Sequence, residues 1–148
     1  MEPQFRFCTS ADGVRIAYLS YGSGPPLLYV RVFWASMGAQ LTHPAPRHYF
    51  DALAARMKLV TFDRRGAGES ARDAEDLSLE AEARDIEAVA DAAGFETFSI
   101  LADADGLAAA AQFAITHEAR VEKLVVWASG FSQAGVNADW IRSMRDDW

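Results

Sequence analysis

Asp103 and Asp105 stand one residue apart where an apolar run meets an alanine-rich run, in the stretch Ala102-Asp103-Ala104-Asp105-Gly106. A carboxylate on a turn can attack an electrophilic carbon, move a proton or ligate a metal. Ligation needs further donors. No recognisable ligand spacing accompanies Asp103-x-Asp105, so no metal is expected. His43 and His48 lie in or near a proline-containing loop without the Cys or acid cluster of a metal site. Gly66-x-Gly68 lacks the Lys and Ser/Thr of a phosphate-cradling loop, and no cofactor is expected. The remaining chemistry to test is a nucleophile paired with a histidine, and His117 is the one histidine after the aspartates.

An alternation of strands and helices must position these residues. Gln4–Thr9 and Val14–Tyr21 read as strands of a hairpin around the turn signal Ala11-Asp12-Gly13. Gly22-Ser23-Gly24-Pro25-Pro26 breaks the second strand. Leu27–Val32 is a short apolar run between breakers, as a buried parallel strand requires. A loop is expected from about Phe33 to Pro46, then helical spacing of Tyr49, Phe50, Leu53 and Met57. Lys58–Phe62 is a second buried strand. Ser78 is a good N-cap, Glu80 and Glu82 suit the first helical turn, and Leu79, Ala83, Ile86, Ala90 and Ala93 share one face up to the stop at Gly94. Thr97–Leu101 reads as a strand, Gly106–Thr116 as a helix and Val121–Ala128 as a strand. The order β-β-β-α-β-α-β-α-β predicts an α/β fold: a mostly parallel sheet with helices on both faces and the opening hairpin at an antiparallel edge. The four alanines Ala108–Ala111 suit a helix pressed close onto the sheet.

The 148 residues fit one domain, and 51% hydrophobic residues suffice for a core. A net charge of −7 is the wrong balance for binding phosphate backbones or anionic membrane surfaces. The single cysteine, Cys8, cannot form an internal disulfide and reads as a buried, inert thiol of a reducing compartment. The start lacks the basic and apolar regions of a signal peptide, and no apolar run approaches the roughly 20 residues that span a bilayer. A cytoplasmic location is expected.

Three stretches carry a family resemblance. Asp63-Arg64-Arg65-Gly66-Ala67-Gly68-Glu69-Ser70 follows an apolar strand and resembles the D-x-R-G-x-G-x-S turn after the fourth strand of α/β hydrolases. The resemblance implies a structural role for it. The run from Phe98 to Phe113 is similar to the family's nucleophile elbow, G-x-S-x-G, where small residues two before and two after the nucleophile let backbones pass closely. Ala102 and Gly106 keep those small flanks, and Ala104 occupies the nucleophile's position. A methyl group cannot attack a carbonyl, so covalent catalysis from there is excluded. More particularly, Phe7–Tyr18 followed by Gly24-Pro25-Pro26-Leu27 resembles hydrolase-like segments near the start of some adenylate/guanylate cyclases and LuxR-type regulators. That similarity implies an accompanying signalling or DNA-binding domain. The overall resemblance covers roughly residues 5 to 130, an expected core of 1–130, with 131–148 resembling the start of a cap or linker.

In this fold the triad runs nucleophile, acid, histidine along the chain. The sole acid between Ala104 and His117 is Asp105, so no triad in that order can be drawn. Aspartate is the nucleophile of related dehalogenases and epoxide hydrolases, yet moving the register onto Asp103 or Asp105 loses the small flanks. Gly130-Phe131-Ser132-Gln133-Ala134 nearly matches the elbow, but no histidine follows Ser132. The oxyanion hole takes a backbone N–H from the loop after the third strand, where many members carry His-Gly. Here the loop reads Arg31, Val32, Phe33, Trp34, the candidate substrate-binding residues; Phe33 and Trp34 serve either packing or the aromatic wall of a pocket.

The family's last strands, which supply the acid and the histidine, would lie beyond Trp148. A partial chain, or one completed by a partner, is therefore expected, with an exposed sheet edge at Val121–Ala128 that favours self-association. Two functional readings follow. One is a non-catalytic hydrolase-like module for sensing a small-molecule ligand or engaging a fused or partner signalling domain. The other is a fragment or degenerate member of a true hydrolase acting on esters or similar small substrates.

Overall fold

Gly13, with φ +88°, turns the chain after β1 (Gln4–Thr9) so that β2 (Arg15–Tyr21) pairs back on it antiparallel, with Cys8 opposite Ile16. The computed structural model describes residues 4–33 and 35–127. The remaining strands are β3 (Pro26–Val30), β4 (Lys58–Phe62), β5 (Phe98–Asp103) and β6 (Val121–Trp127). Together they form a six-stranded sheet in the order β1-β2-β4-β3-β5-β6. The β3–β4, β3–β5 and β5–β6 pairs are parallel, and β2–β4 is antiparallel. The hairpin thus supplies the antiparallel edge, as expected.

Alternation along the strands divides the core between the two faces. One face packs Ile16, Leu28, Val60, Phe98 and Ile100 against α3 (Leu79–Ala92) and α4 (Gly106–Thr116) through Ile86, Val89, Leu107 and Phe113. The other packs Tyr21, Leu27, Tyr29, Leu59 and Leu101 on Phe50 of α2 (Pro44–Ala54). Each fully buried side chain of this size contributes about 1.5–3 kcal/mol of transfer free energy. Helix α3 starts as predicted: the Ser78 hydroxyl accepts the Ala81 N–H, and Gly94, at φ +71°, ends the turn after it. Ala109 and Ala110 are buried on the sheet, whereas Ala108 faces solvent.

Four expectations need correction. The loop expected between Phe33 and Pro46 contains a helix, α1 (Met37–Thr42), whose N-cap Ser36 accepts from Ala39 N–H, and α2 already begins at Pro44. Pro at the first helical position needs no N–H partner, so prolines here start a helix rather than prevent one. Strand β3 ends at Val30 instead of Val32, because Arg31 and Val32 bond to side chains from other elements. Strand β5 runs on to Asp103, beyond the expected end at Leu101. Cys8 is half-buried rather than enclosed; burial, then the nearby Asp85, pushes its thiol up to about 11, which keeps it inert at neutral pH.

The Asp63–Ser70 turn organises the sheet's carboxyl end. Asp63 Oδ1 accepts from Met37 N–H (2.8 Å) and Arg31 Nη2 (3.1 Å), and its Oδ2 accepts from Glu69 N–H (2.9 Å). Gly68 must be glycine, since a Cβ there would lie 2.1 Å from Asp63 Oδ2. The Ser70 hydroxyl donates to Asp63 O and accepts from Ala17 N–H, fastening the turn to β2. Arg65 is fully enclosed and fork-bonded to Asp85 of α3 (2.7 Å twice), with further bonds to Asp12 and to the Asp76 carbonyl. Arg65 and Arg84 hold the Asp12 carboxyl down at about 2. No helix among the described residues is long and apolar enough to cross a membrane. β6 ends the sheet among the described residues, and its Val125, Val126 and Trp127 are exposed. Residues 131–148 lie outside the described residues.

Candidate functional site at the β5–α4 turn

The turn between β5 and α4 is strained. Ala104 has φ +45°, the single positive φ of a non-glycine residue among those described. Such backbone costs an L-residue with a Cβ roughly 1–2 kcal/mol and persists only where the surroundings impose it. Two residues on, Gly106 opens α4 against the end of β3: a Cβ there would lie 2.6 Å from the Val30 carbonyl oxygen and 2.9 Å from that of Arg31. Ala102 is fully buried and pairs with Val30. The small flanks therefore let a helix start within contact distance of a strand. Replacing Ala104 with glycine relieves the strain while loosening the unfolded chain, for a net gain of up to about 1 kcal/mol in urea unfolding. A loss instead would mean that the methyl group's packing outweighs the strain.

The aspartates on either side of Ala104 reach the loop after β3. Val32 N–H donates to Asp103 Oδ1 (2.7 Å), and Phe33 N–H donates to Asp105 Oδ1 (3.2 Å). The second oxygens are also engaged. The Tyr29 hydroxyl donates to Asp103 Oδ2 (2.6 Å), and Arg64 Nη1 donates to Asp105 Oδ2 (2.7 Å). Burial, then the bond to Asp103, pushes the Tyr29 phenol up, so it remains a donor. Arg64 is in turn clamped by Glu82 (2.6 and 2.7 Å from Nη2, 2.9 Å from Nε) and lies 5.5 Å from the Phe33 ring centroid. Burial raises the Glu82 carboxyl against the pull of Arg64.

Of the four candidate loop residues, Val32 and Phe33 meet the turn through their backbone. Arg31 is only 2% exposed and bonds Asp63, Gln40 and the Ala35 carbonyl, so its guanidinium ties the loop to the fold rather than facing a solute. Trp34 and Ser132 lie outside the described residues. His117 follows the last turn of α4, an 11-residue helix whose other end is at Gly106, about 16 Å away at 1.5 Å per residue. There it stacks on Phe113, contacts Thr116 Oγ1 and lies 3.4 Å from Glu87. His43 and His48 are exposed at the start of α2, and no group of three or more His, Cys, Asp or Glu among the described residues could hold a metal. Sequence reasoning missed Tyr29, Arg64 and Gln40, and took Glu82 for a helix-dipole residue only. Arg64 carried a weak signal, an extra cation beside Arg65 in the turn motif.

Element order, crossovers and the strained turn define the α/β-hydrolase fold. No family model matches the chain. It is 32% identical over 117 residues to a protein named putative carbamate hydrolase RutD from Azorhizobium caulinodans, covering 79% of this chain and 42% of that protein. It is 37% identical over 93 residues to the protein of the same name from a Caulobacter species, covering 62% of this chain and 34% of that protein. The chain thus spans less than half the length of these relatives. Among solved structures, a membrane phospholipase A superposes with a TM-score of 0.79 at 20% identity, over 99% of this chain and 46% of its own. A hydrolase from Pseudomonas aeruginosa gives 0.77 at 19%, over 97% and 52%. At such identities the structural likeness establishes the fold alone.

Proposed function

We propose that this chain is a non-hydrolytic α/β-hydrolase module, with Ala104 at the fold's nucleophile position, that acts by binding rather than by covalent catalysis. The carrying observation is the strained turn at φ +45° occupied by a methyl side chain. Its partners on this reading are a small-molecule ligand at the β3 loop, a signalling domain as the amino-terminal resemblance implies, and a second copy through the β6 edge. The chain is then expected to hydrolyse p-nitrophenyl acetate no faster than buffer and to take no label from a fluorophosphonate. Ala104→Ser should restore little of either, because His117 lies at the far end of α4. Robust labelling of Ala104→Ser would overturn this reading.

The two RutD relatives favour a second reading, a degenerate segment of a hydrolase of small esters or carbamates. It predicts ester turnover by the unmodified chain that is lost on changing Asp103 or Asp105. Turnover of that kind would replace the first reading.

A further inference from the structure

We infer that Asp103 and Asp105 form a double latch that fills, with the protein's own carboxylates, the backbone donors that this fold otherwise offers to a ligand's oxygen. Calling those donors an oxyanion site rests on the reading of Ala104 as the nucleophile position. The latch itself is read from hydrogen bonds.

Val32 and Phe33 are consecutive, and their N–H groups go to consecutive odd positions of the turn, Asp103 and Asp105. Each carboxylate takes one loop N–H with one oxygen and is held through its other oxygen by a separate element. Tyr29 of β3 holds Asp103, and Arg64, itself clamped by Glu82 of α3, holds Asp105. Asp105 is itself exposed, with 46% of its side chain open to solvent, and it is this second anchoring that sets the pair apart from surface acids that happen to touch a loop. It fixes each carboxylate where the donor points, so a free anion must displace a tethered one at very high effective concentration. The arrangement also adds a restraint to the strained turn at Ala104. The residues on both sides of it are bonded to the same loop, and the turn between them cannot relax without breaking a charge-assisted bond. Asp103 and Asp105 are therefore positioning residues. The ligand class of the site they cover is a small carboxylate or other oxyanion, admitted only when the latch opens.

Backbone amide exchange and chemical shift in the nitrogen-15-labelled chain test this without any turnover, so the outcome is separable from the question of catalysis. In the unmodified chain the Val32 and Phe33 amides are expected to be protected and unmoved by acetate at constant ionic strength. In Asp103→Ala/Asp105→Ala both should exchange about tenfold faster or more, the loss of a bond to a charged acceptor, and both should shift on titration with acetate. If the double variant fails to fold, the isosteric single variants carry the test. Asp103→Leu, which fills the same space with no acceptor, should speed Val32 but not Phe33, and Asp105→Leu the reverse. Free-peptide exchange of these amides in the unmodified chain would overturn the latch. So would acetate shifts of equal size with and without the aspartates, or single variants that speed both amides together with the rest of the chain.

Discussion

Replacing Arg65 with methionine is expected to remove about 3–5 kcal/mol of folding free energy. Arg65 is fully enclosed and Asp85 is 1% exposed, so the substitution leaves a carboxylate buried with its two fork bonds gone. The bonds to Asp12 and to the Asp76 carbonyl go with it, and these tie the β1–β2 hairpin and the segment before α3 to the turn. A domain of this size has roughly 5–15 kcal/mol in total, so the urea midpoint should fall by about a fifth or more. Changing both partners, Arg65→Met with Asp85→Leu, should recover much of the loss, because no charge is then left without its counter-ion. A loss below about 1 kcal/mol for Arg65→Met would show that water reaches Asp85 and that the pair does not hold the hairpin.

Gly106→Ala comes second, with an expected loss of about 2–3 kcal/mol in urea unfolding. The added methyl would meet two main-chain oxygens, Val30 O at 2.6 Å and Arg31 O at 2.9 Å, and main chain cannot rotate away as a side chain can. Helix α4 must lift from β3, which also lengthens the bonds from Val32 and Phe33 to the aspartates. Alanine's better helix propensity offsets part of the cost, by at most about 1 kcal/mol. The site-specific signature is faster amide exchange at Val32 and Phe33 ahead of the core strands. A neutral result would mean that α4 can slide along β3, and the close approach would then not be what demands glycine.

Much of the fold was legible because its signals are local. The breakers after Tyr21, the run Lys58–Phe62, and the helical face Leu79–Ala93 between Ser78 and Gly94 each declare themselves within a few residues. Helix α1 escaped notice because its six residues, Met-Gly-Ala-Gln-Leu-Thr, are too few to show a period. It forms because Asp63 accepts the Met37 N–H and Met37 packs with Ala17 and Leu19, partners that belong to other strands. Arg31 escaped for a related reason. An arginine after an apolar strand reads as the start of a solvent loop until Asp63 and Gln40 are seen around its guanidinium.

By itself the sequence determined the kind and order of the elements other than α1, the hairpin edge, and the fact that the residue between the two aspartates carries only a methyl group. These follow from periodicity, turn residues and side-chain chemistry, all of which act over short stretches of chain. Tertiary structure alone decided what the aspartates do. Asp103 meets Tyr29 and Val32 across 74 and 71 residues, and Asp105 meets Phe33 and Arg64 across 72 and 41. A hydrogen bond depends on position and direction in space, and separations of that size become contacts only once the parallel sheet brings the ends of β3, β4 and β5 side by side.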